Sequence, residues 1–197
     1  MGRIFAALYD RLSAKEERET VGPARRKLLE RAHGRTLEIG AGTGANLPHY
    51  PDGIELVLTE PDKHMAKRMK AESLRVPAEK LPFAAESFNT VVSTLALCSV
   101  DDLDQSLAEL RRVLKPGGTF LFIEHVRAEP GSKLERWQDR CEGLWGFCAS
   151  GCHPNRDTLA AIQAAGFALG DVERPEWKVP PLVRPVVVGA ATLETGS

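Results

Sequence analysis

Residues 35–44 read Arg-Thr-Leu-Glu-Ile-Gly-Ala-Gly-Thr-Gly, an apolar strand from Thr36 to Ile39 that runs straight into Gly40, Gly42 and Gly44 on alternate positions. Glycine lets a backbone turn sharply and approach a ligand closely, because any Cβ would collide. The triplet fits G-x-G-x-G and, with Ala45 next, also the dinucleotide form G-x-G-x-x-G/A, so the turn alone decides little. About ten residues on, residues 54–62, Ile-Glu-Leu-Val-Leu-Thr-Glu-Pro-Asp, repeat the design: an apolar strand closed by an acid and Pro61. Strand, glycine turn, helix and strand are expected to form a βαβ unit, the element of a parallel sheet.

The alternation continues downstream. Ser87 to Leu97 is too apolar and β-branched for an exposed helix and reads as a central parallel strand, its end near Leu95 to Val100 opening on the ligand side. Asp101 or Asp102 offers an N-cap to a helix whose stripe is Leu103, Leu107, Leu110 and Leu114. Lys115-Pro116-Gly117-Gly118 stops that helix, and residues 119–125 form another buried strand. Residues 127–155 weaken into an irregular, partly helical insert, followed by a helix closed at Gly166. Two strands remain, Phe167 to Glu173 and about Val183 to Ala191, joined by a link too short for a helix crossover and therefore antiparallel neighbours.

The length of 197 residues favours one domain. We divide it into an N-terminal helical lid at 1–33, a cofactor-binding half at 34–126, a substrate-side insert at 127–155 and a C-terminal helix and strands at 156–197. With 26 Lys and Arg against 27 Asp and Glu, the formal charge of −1 gives no field to attract nucleic acid. No apolar run approaches the roughly 18 residues of a membrane span, and the start of the chain reads as neither signal nor anchor. Cys98, Cys141, Cys148 and Cys152 are then expected to be reduced thiols of a cytoplasmic protein.

The discriminating residues lie beside the turn. Glu38 stands inside an apolar strand, where a carboxylate is costly unless a cation or a donor meets it. It would repel a pyrophosphate, whereas S-adenosylmethionine offers an ammonium and a sulfonium and contains no phosphate. An ordinary buried acid paired with an arginine explains Glu38 as well. Glu60 closes the second strand 20 residues after Gly40, where an acid takes the ribose hydroxyls in nucleoside-binding βαβ units.

Taken in order, residues 36–44, 58–62, 78–92, 110–118 and 120–126 resemble the motifs of the class I S-adenosylmethionine-dependent methyltransferases of small molecules, over about residues 34–175. Residues 95–102, 123–126 and 151–167 are most similar to the group that contains the alkyl-thiol S-methyltransferases. The resemblance implies an α/β, Rossmann-like fold: a seven-stranded, mostly parallel sheet with a terminal antiparallel strand and helices on both faces. It implies that Glu38, Gly40, Gly42 and Gly44 line the methionine moiety and that Glu60 holds the ribose. Pro61 and Met65 would then sit by the adenine, Ala78 and Glu79 on its far side, and Leu95 under the ligand. Two positions depart from the family pattern: Pro77 and Asn89 each stand where an Asp is usual.

Other groups are candidates for chemistry. His125 ends a strand near the expected substrate and is the candidate general base; a ring that satisfies local backbone is the plainer alternative. Tyr9, with Asp10, lies on an amphipathic segment with Phe5, Leu8 and Leu12 that would close over the cofactor. Cys141, Cys148, Cys152 and His153 have zinc-ligand types, but the spacing contains no C-x2-C pair, and no metal is expected. Trp137, Trp145, Leu144 and Phe147 would wall an apolar pocket. The expected function is methyl transfer from S-adenosylmethionine to a small hydrophobic acceptor, a thiol first; the alternatives are an NAD(P)-dependent oxidoreductase and a non-catalytic nucleoside-binding module.

Overall fold

The computed structural model describes residues 17–149, 151–177 and 179–193, and within them one sheet of six strands. β1 (Arg35–Ile39), β2 (Glu55–Leu58), β3 (Phe88–Thr94) and β4 (Leu114–His125) pair in parallel. β5 (Phe167–Glu173) and β6 (Val186–Leu193) pair antiparallel, as their short link required. The order across the sheet is β2-β1-β3-β4-β6-β5, so the last strand of the chain lies inside the sheet, reversed against both neighbours. A seventh strand is absent among the described residues; beyond β2 there is only an isolated bridge between Thr59 and Leu74. Leu74 is 45% exposed and flanked by Ser73 and Arg75, which provide no apolar face on which an edge strand could rest.

Strand alternation builds two cores. Phe120 and Phe122 of β4 face one side with Leu37, Val91 and Val187, and are covered by Leu107 and Leu110 of one helix and Ile162 of another. Leu121 and Ile123 face the other side with Val92 and Ala190, under Leu28 and Leu29. The covering helices are α1 (Gly22–Leu29), α3 (Leu103–Val113) and α5 (Thr158–Ala164). α3 starts where the sequence placed it: Asp102 is the N-cap and accepts a hydrogen bond from Gln105 N–H at 2.9 Å. α1 is a layer of the fold, because its buried leucines belong to the second core. Replacing Phe122 with Ala should cost about 3–5 kcal/mol in chemical denaturation, whereas Ala at the 89% exposed Phe147 should change stability by under ~0.5 kcal/mol.

The βαβ unit expected around the glycine turn lacks its crossover helix. Between β1 and β2 the chain makes only a 3-10 turn at Leu47–His49, since Pro48, Pro51 and Gly53 break up a segment already short. The next helix, α2 (Lys63–Ala66), has four residues and is capped by Asp62. The insert is more regular than its sequence suggests: α4 (Lys133–Cys148) is a 16-residue helix.

A buried acid shapes the end of β3. Glu124 of β4 accepts hydrogen bonds from Ser93 Oγ at 2.6 Å, from the Ala96 and Leu97 amides at 3.2 Å and from the Cys98 amide at 3.3 Å. This grip holds the residues just after Leu95, whose φ of 57° is uncommon for a side chain of its size. Even with four donors, burial pushes the Glu124 carboxyl up to about 7. Between that value and the ordinary 4.5 the folded protein holds a proton that the unfolded chain has released, so stability from Glu124 rises as pH falls through this window. Chemical denaturation near pH 5 and near pH 8 should show the parent gaining on Glu124→Gln at the lower pH, by up to ~3 kcal/mol. His125 contributes with the opposite sign but is common to both proteins and cancels. Parallel stability curves would rule out a titrating buried carboxylate.

Candidate active site

A cavity of about 520 Å³ opens at the C-terminal ends of β1, β3 and β4, where the strand order reverses between β1 and β3. Open α/β sheets take their ligands at such a switch point, and small-molecule sites span roughly 300–1,000 Å³. Of the residues singled out in the sequence, Gly40, Gly42, Glu60, Pro61 and Met65 line it, as do Ala78, Glu79, Leu95 and His125. Glu38 and Gly44 do not line it, and Tyr9 lies outside the described residues.

The two later glycines serve different needs. A Cβ at Gly42, whose φ is +60°, would meet nothing nearer than Met65 Cε at 3.7 Å, so the space it leaves belongs to the cavity. A Cβ at Gly44 would strike Leu47 Cδ1 at 2.7 Å and Met69 Cγ at 2.9 Å. Gly44 is therefore demanded by packing within the turn, not by a ligand.

Glu60 ties the two strand ends together. Its Oε2 accepts the Gly42 amide and its Oε1 the Asp62 amide, both at 2.8 Å. Burial raises its pKa and the two amides oppose that rise. Each oxygen keeps a second lone pair, so the carboxylate can still accept a pair of vicinal hydroxyls. The same bond makes the turn unsuited to a pyrophosphate: the Gly42 amide is already taken by a carboxylate, and no α-helix N-terminus follows it.

Glu38 sits one layer behind the cavity wall. Asn46 Nδ2 donates to its Oε1 at 2.9 Å and the Tyr50 hydroxyl to its Oε2 at 2.7 Å. Arg25 donates to Asn46 Oδ1 and to Thr94 Oγ1, both at 2.7 Å. Burial raises the Glu38 pKa; Tyr50 and the Arg25 charge work against it. Arg25, Asn46 and Thr94 all face the cavity, so the network presents polar groups to a ligand while Glu38 holds them from behind. The sequence pointed to Glu38 and missed these three, because Arg25 comes from a helix remote in sequence and Asn46 and Thr94 carry no spacing signal.

The opposite end of the cavity is apolar. Cys98, Cys152 and Val183 form one buried cluster with Trp145, Ala149 and Val179 packed on it. Of the aromatic and aliphatic residues expected from the insert, only Trp145 lines the cavity. Trp137, Leu144 and Phe147 are 45%, 72% and 89% exposed, because α4 turns Gln138 and Trp145 inward, with Ala149 just past its end. Gln138 fixes that rotation: its amide reaches the carbonyls of Val126, Pro154 and Leu182 at 3.3, 2.8 and 2.9 Å, and its oxygen accepts Ala128 N–H at 2.8 Å. Burial lowers the His125 pKa to about 4, so the ring is neutral at pH 7.

Among the described residues no three His, Cys, Asp or Glu side chains stand together as a metal cluster, and no helix is long and apolar enough to cross a membrane. Asn89 lies away from the cavity, accepting from the Arg35 amide at 3.2 Å and Lys115 Nζ at 3.0 Å, whereas Pro77 lines it.

Comparison with known proteins agrees with this geometry. Residues 37–122 match the methyltransferase domain family. Human thiol S-methyltransferase TMT1A is 32% identical over 95% of this chain and 82% of its own length. Rat thiol S-methyltransferase TMT1B is 36% identical over 79% of this chain and 69% of its own. In fold, the chain is similar to an S-adenosylmethionine-dependent methyltransferase of Thermotoga maritima (TM-score 0.69, 24% identity, 98% of this chain and 100% of that one). It is similar also to a putative methyltransferase of Haloferax volcanii solved with its Trm112 activator (TM-score 0.75, 17% identity, 98% and 97% covered). With the sheet, the switch-point cavity and these relatives in agreement, the chain belongs to the class I S-adenosylmethionine-dependent methyltransferases.

Proposed function

We propose that this methyltransferase alkylates a small apolar thiol, with residues 34–126 holding the cofactor and residues 127–155 supplying the acceptor side of one domain. The observation that carries this reading is the polarity of the cavity, which runs from Glu60 and the Arg25–Asn46–Thr94 cluster to the Cys98–Cys152–Val183 cluster. The names of the human and rat relatives support a thiol, and the four free cysteines support a reducing cytoplasmic setting.

Bound S-adenosylmethionine supplies a methyl carbon made electrophilic by the adjoining sulfonium. In this reading Glu60 accepts the ribose hydroxyls on its free lone pairs. Gly42 leaves room for the methionine chain; Gly40 lines the cavity beside it, its own Cβ position closed by Ala96 Cβ at 2.6 Å, and Gly44 keeps the turn in shape. Arg25, Asn46 and Thr94, braced by Glu38, meet its charged end. Pro61, Met65, Ala78 and Glu79 enclose the adenine, and Leu95 supports the ligand from the end of β3. The apolar end then excludes water from the line of attack, which favours a transfer in which charge is lost.

Titration calorimetry with S-adenosylhomocysteine and with NAD tests the cofactor half. S-adenosylhomocysteine should bind and NAD should not. Glu60→Ala should weaken S-adenosylhomocysteine binding by about 1.5–3 kcal/mol, the worth of hydrogen bonds to a charged group. Gly42→Val should be harsher, since its side chain would occupy the ligand's volume. An unchanged affinity in both variants would remove this placement of the cofactor. A panel of thiols, phenols, amines and lipids with methyl-labelled cofactor tests the acceptor; label on phenols or amines and none on thiols would overturn the thiol assignment.

A further inference from the structure

Two residues that line this cavity each carry a buried polar atom short of a good hydrogen bond: His125 Nδ1, with no partner, and Trp145 Nε1, with only the Cys152 sulfur beside it. Folded proteins leave few such atoms, because each forgoes the bonds it had with water. Both come from well-held elements. His125 ends β4 in register with Val186 of β6, and α4, which carries Trp145, hangs from the three carbonyls bound by Gln138.

Their chemistry is opposite. An indole N–H donates only, and the sulfur of Cys152 beside it is a weak acceptor. The His125 ring lies against the Val183 backbone, and its Nδ1 is without a partner. In the neutral ring one of the two nitrogens carries a bare lone pair, and Nδ1, unpartnered on a residue that lines the cavity, is free to be that acceptor. Around Trp145 stand Cys98, Cys152, Ala149, Val179 and Val183; the Glu124 carboxyl acts on both cysteines and the Arg156 charge on Cys152.

We propose that His125 Nδ1 and Trp145 Nε1–H form an acceptor clamp for a neutral protic head on a small apolar body, one hydrogen given to His125 and one lone pair turned to Trp145. The clamp rests on the methyltransferase reading and deepens it by naming the groups that hold the substrate and the protonation state they select. An ammonium has no lone pair for Trp145. An anion sets its charge against the Nδ1 lone pair. A thiol fits better than a hydroxyl, because its weak hydrogen bonds cost less to strip from water.

In the transfer, the acceptor sulfur forms its bond to the methyl carbon as that carbon's bond to the sulfonium sulfur breaks. The S–H proton passes to His125 Nδ1, the S–H electron pair stays on the thioether product, and S-adenosylhomocysteine leaves uncharged at sulfur. A ring of such low basicity does not strip a free thiol of pKa near 8.5 in advance. It receives the proton as methylation makes the S–H strongly acidic, then returns it to water.

The test uses the ¹⁵N-labelled protein saturated with S-adenosylhomocysteine and titrated with hexane-1-thiol, following the indole N–H resonance that disappears in Trp145→Phe. We expect the thiol to shift that resonance. Thiol affinity should fall about threefold to tenfold in Trp145→Phe and in His125→Leu, the worth of one neutral hydrogen bond, and recover in His125→Asn, whose Oδ1 can stand in for Nδ1. Hexyl methyl sulfide, which has no S–H, should bind parent and His125→Leu alike. A stationary resonance, an undiminished affinity in His125→Leu, or no thiol binding at all overturns the clamp and leaves the cofactor reading standing. Failure of S-adenosylhomocysteine itself to bind overturns the cofactor reading and the clamp with it.

Discussion

The Glu60 carboxylate, held between the Gly42 and Asp62 amides at 2.8 Å, is the contact on which the site depends. It joins the ends of β1 and β2, where no crossover helix does so, and it sets the character of the turn. In a dinucleotide site the turn amides and a helix N-terminus face phosphate. Here an acid occupies that role, and a nucleoside without phosphate is the ligand that suits it. Two further buried acids repeat the device: Glu38 holds Asn46 and Tyr50 behind β1, and Glu124 gathers the turn after β3. Each carboxylate is costly to bury, and each offsets that cost with donors that must stay where the site needs them. For Glu124 burial outweighs even four donors and pushes the carboxyl up to about 7.

The apolar end of the cavity is built by a different means. α4 carries few buried residues, and its rotation is fixed by the Gln138 side chain, whose amide is fully satisfied by backbone. That rotation turns Trp145 inward and leaves Leu144 and Phe147 in solvent. Neutrality of this end follows from burial, which keeps His125 uncharged at pH 7. In the proposed reading a cationic cofactor and a neutral acceptor meet across this one cavity.

Much of this was legible in the sequence, and the exceptions have physical causes. The buried strands, the Asp102 cap and the antiparallel β5–β6 pair follow from side-chain period and capping chemistry, which are local. Glu60 was legible because an acid closing an apolar strand is a local signal too. Glu124, an acid inside an otherwise apolar strand, carries the same local signal as Glu38. The expected helix between β1 and β2 failed because Pro48, Pro51 and Gly53 leave no stretch that can propagate one. Arg25 and the rotation of α4 were beyond reach, since both are set by partners distant in sequence, Thr94 in one case and Leu182 in the other.

A crystal structure of the protein with S-adenosylhomocysteine tests the central claim most directly. The account predicts both ribose hydroxyls within hydrogen-bond distance of Glu60, with the Gly42 amide still on its carboxylate and the homocysteine sulfur facing the space between Leu95, His125 and Trp145. A ligand whose ribose lies away from Glu60, or whose sulfur points away from the Cys98–Cys152–Val183 cluster, would contradict it.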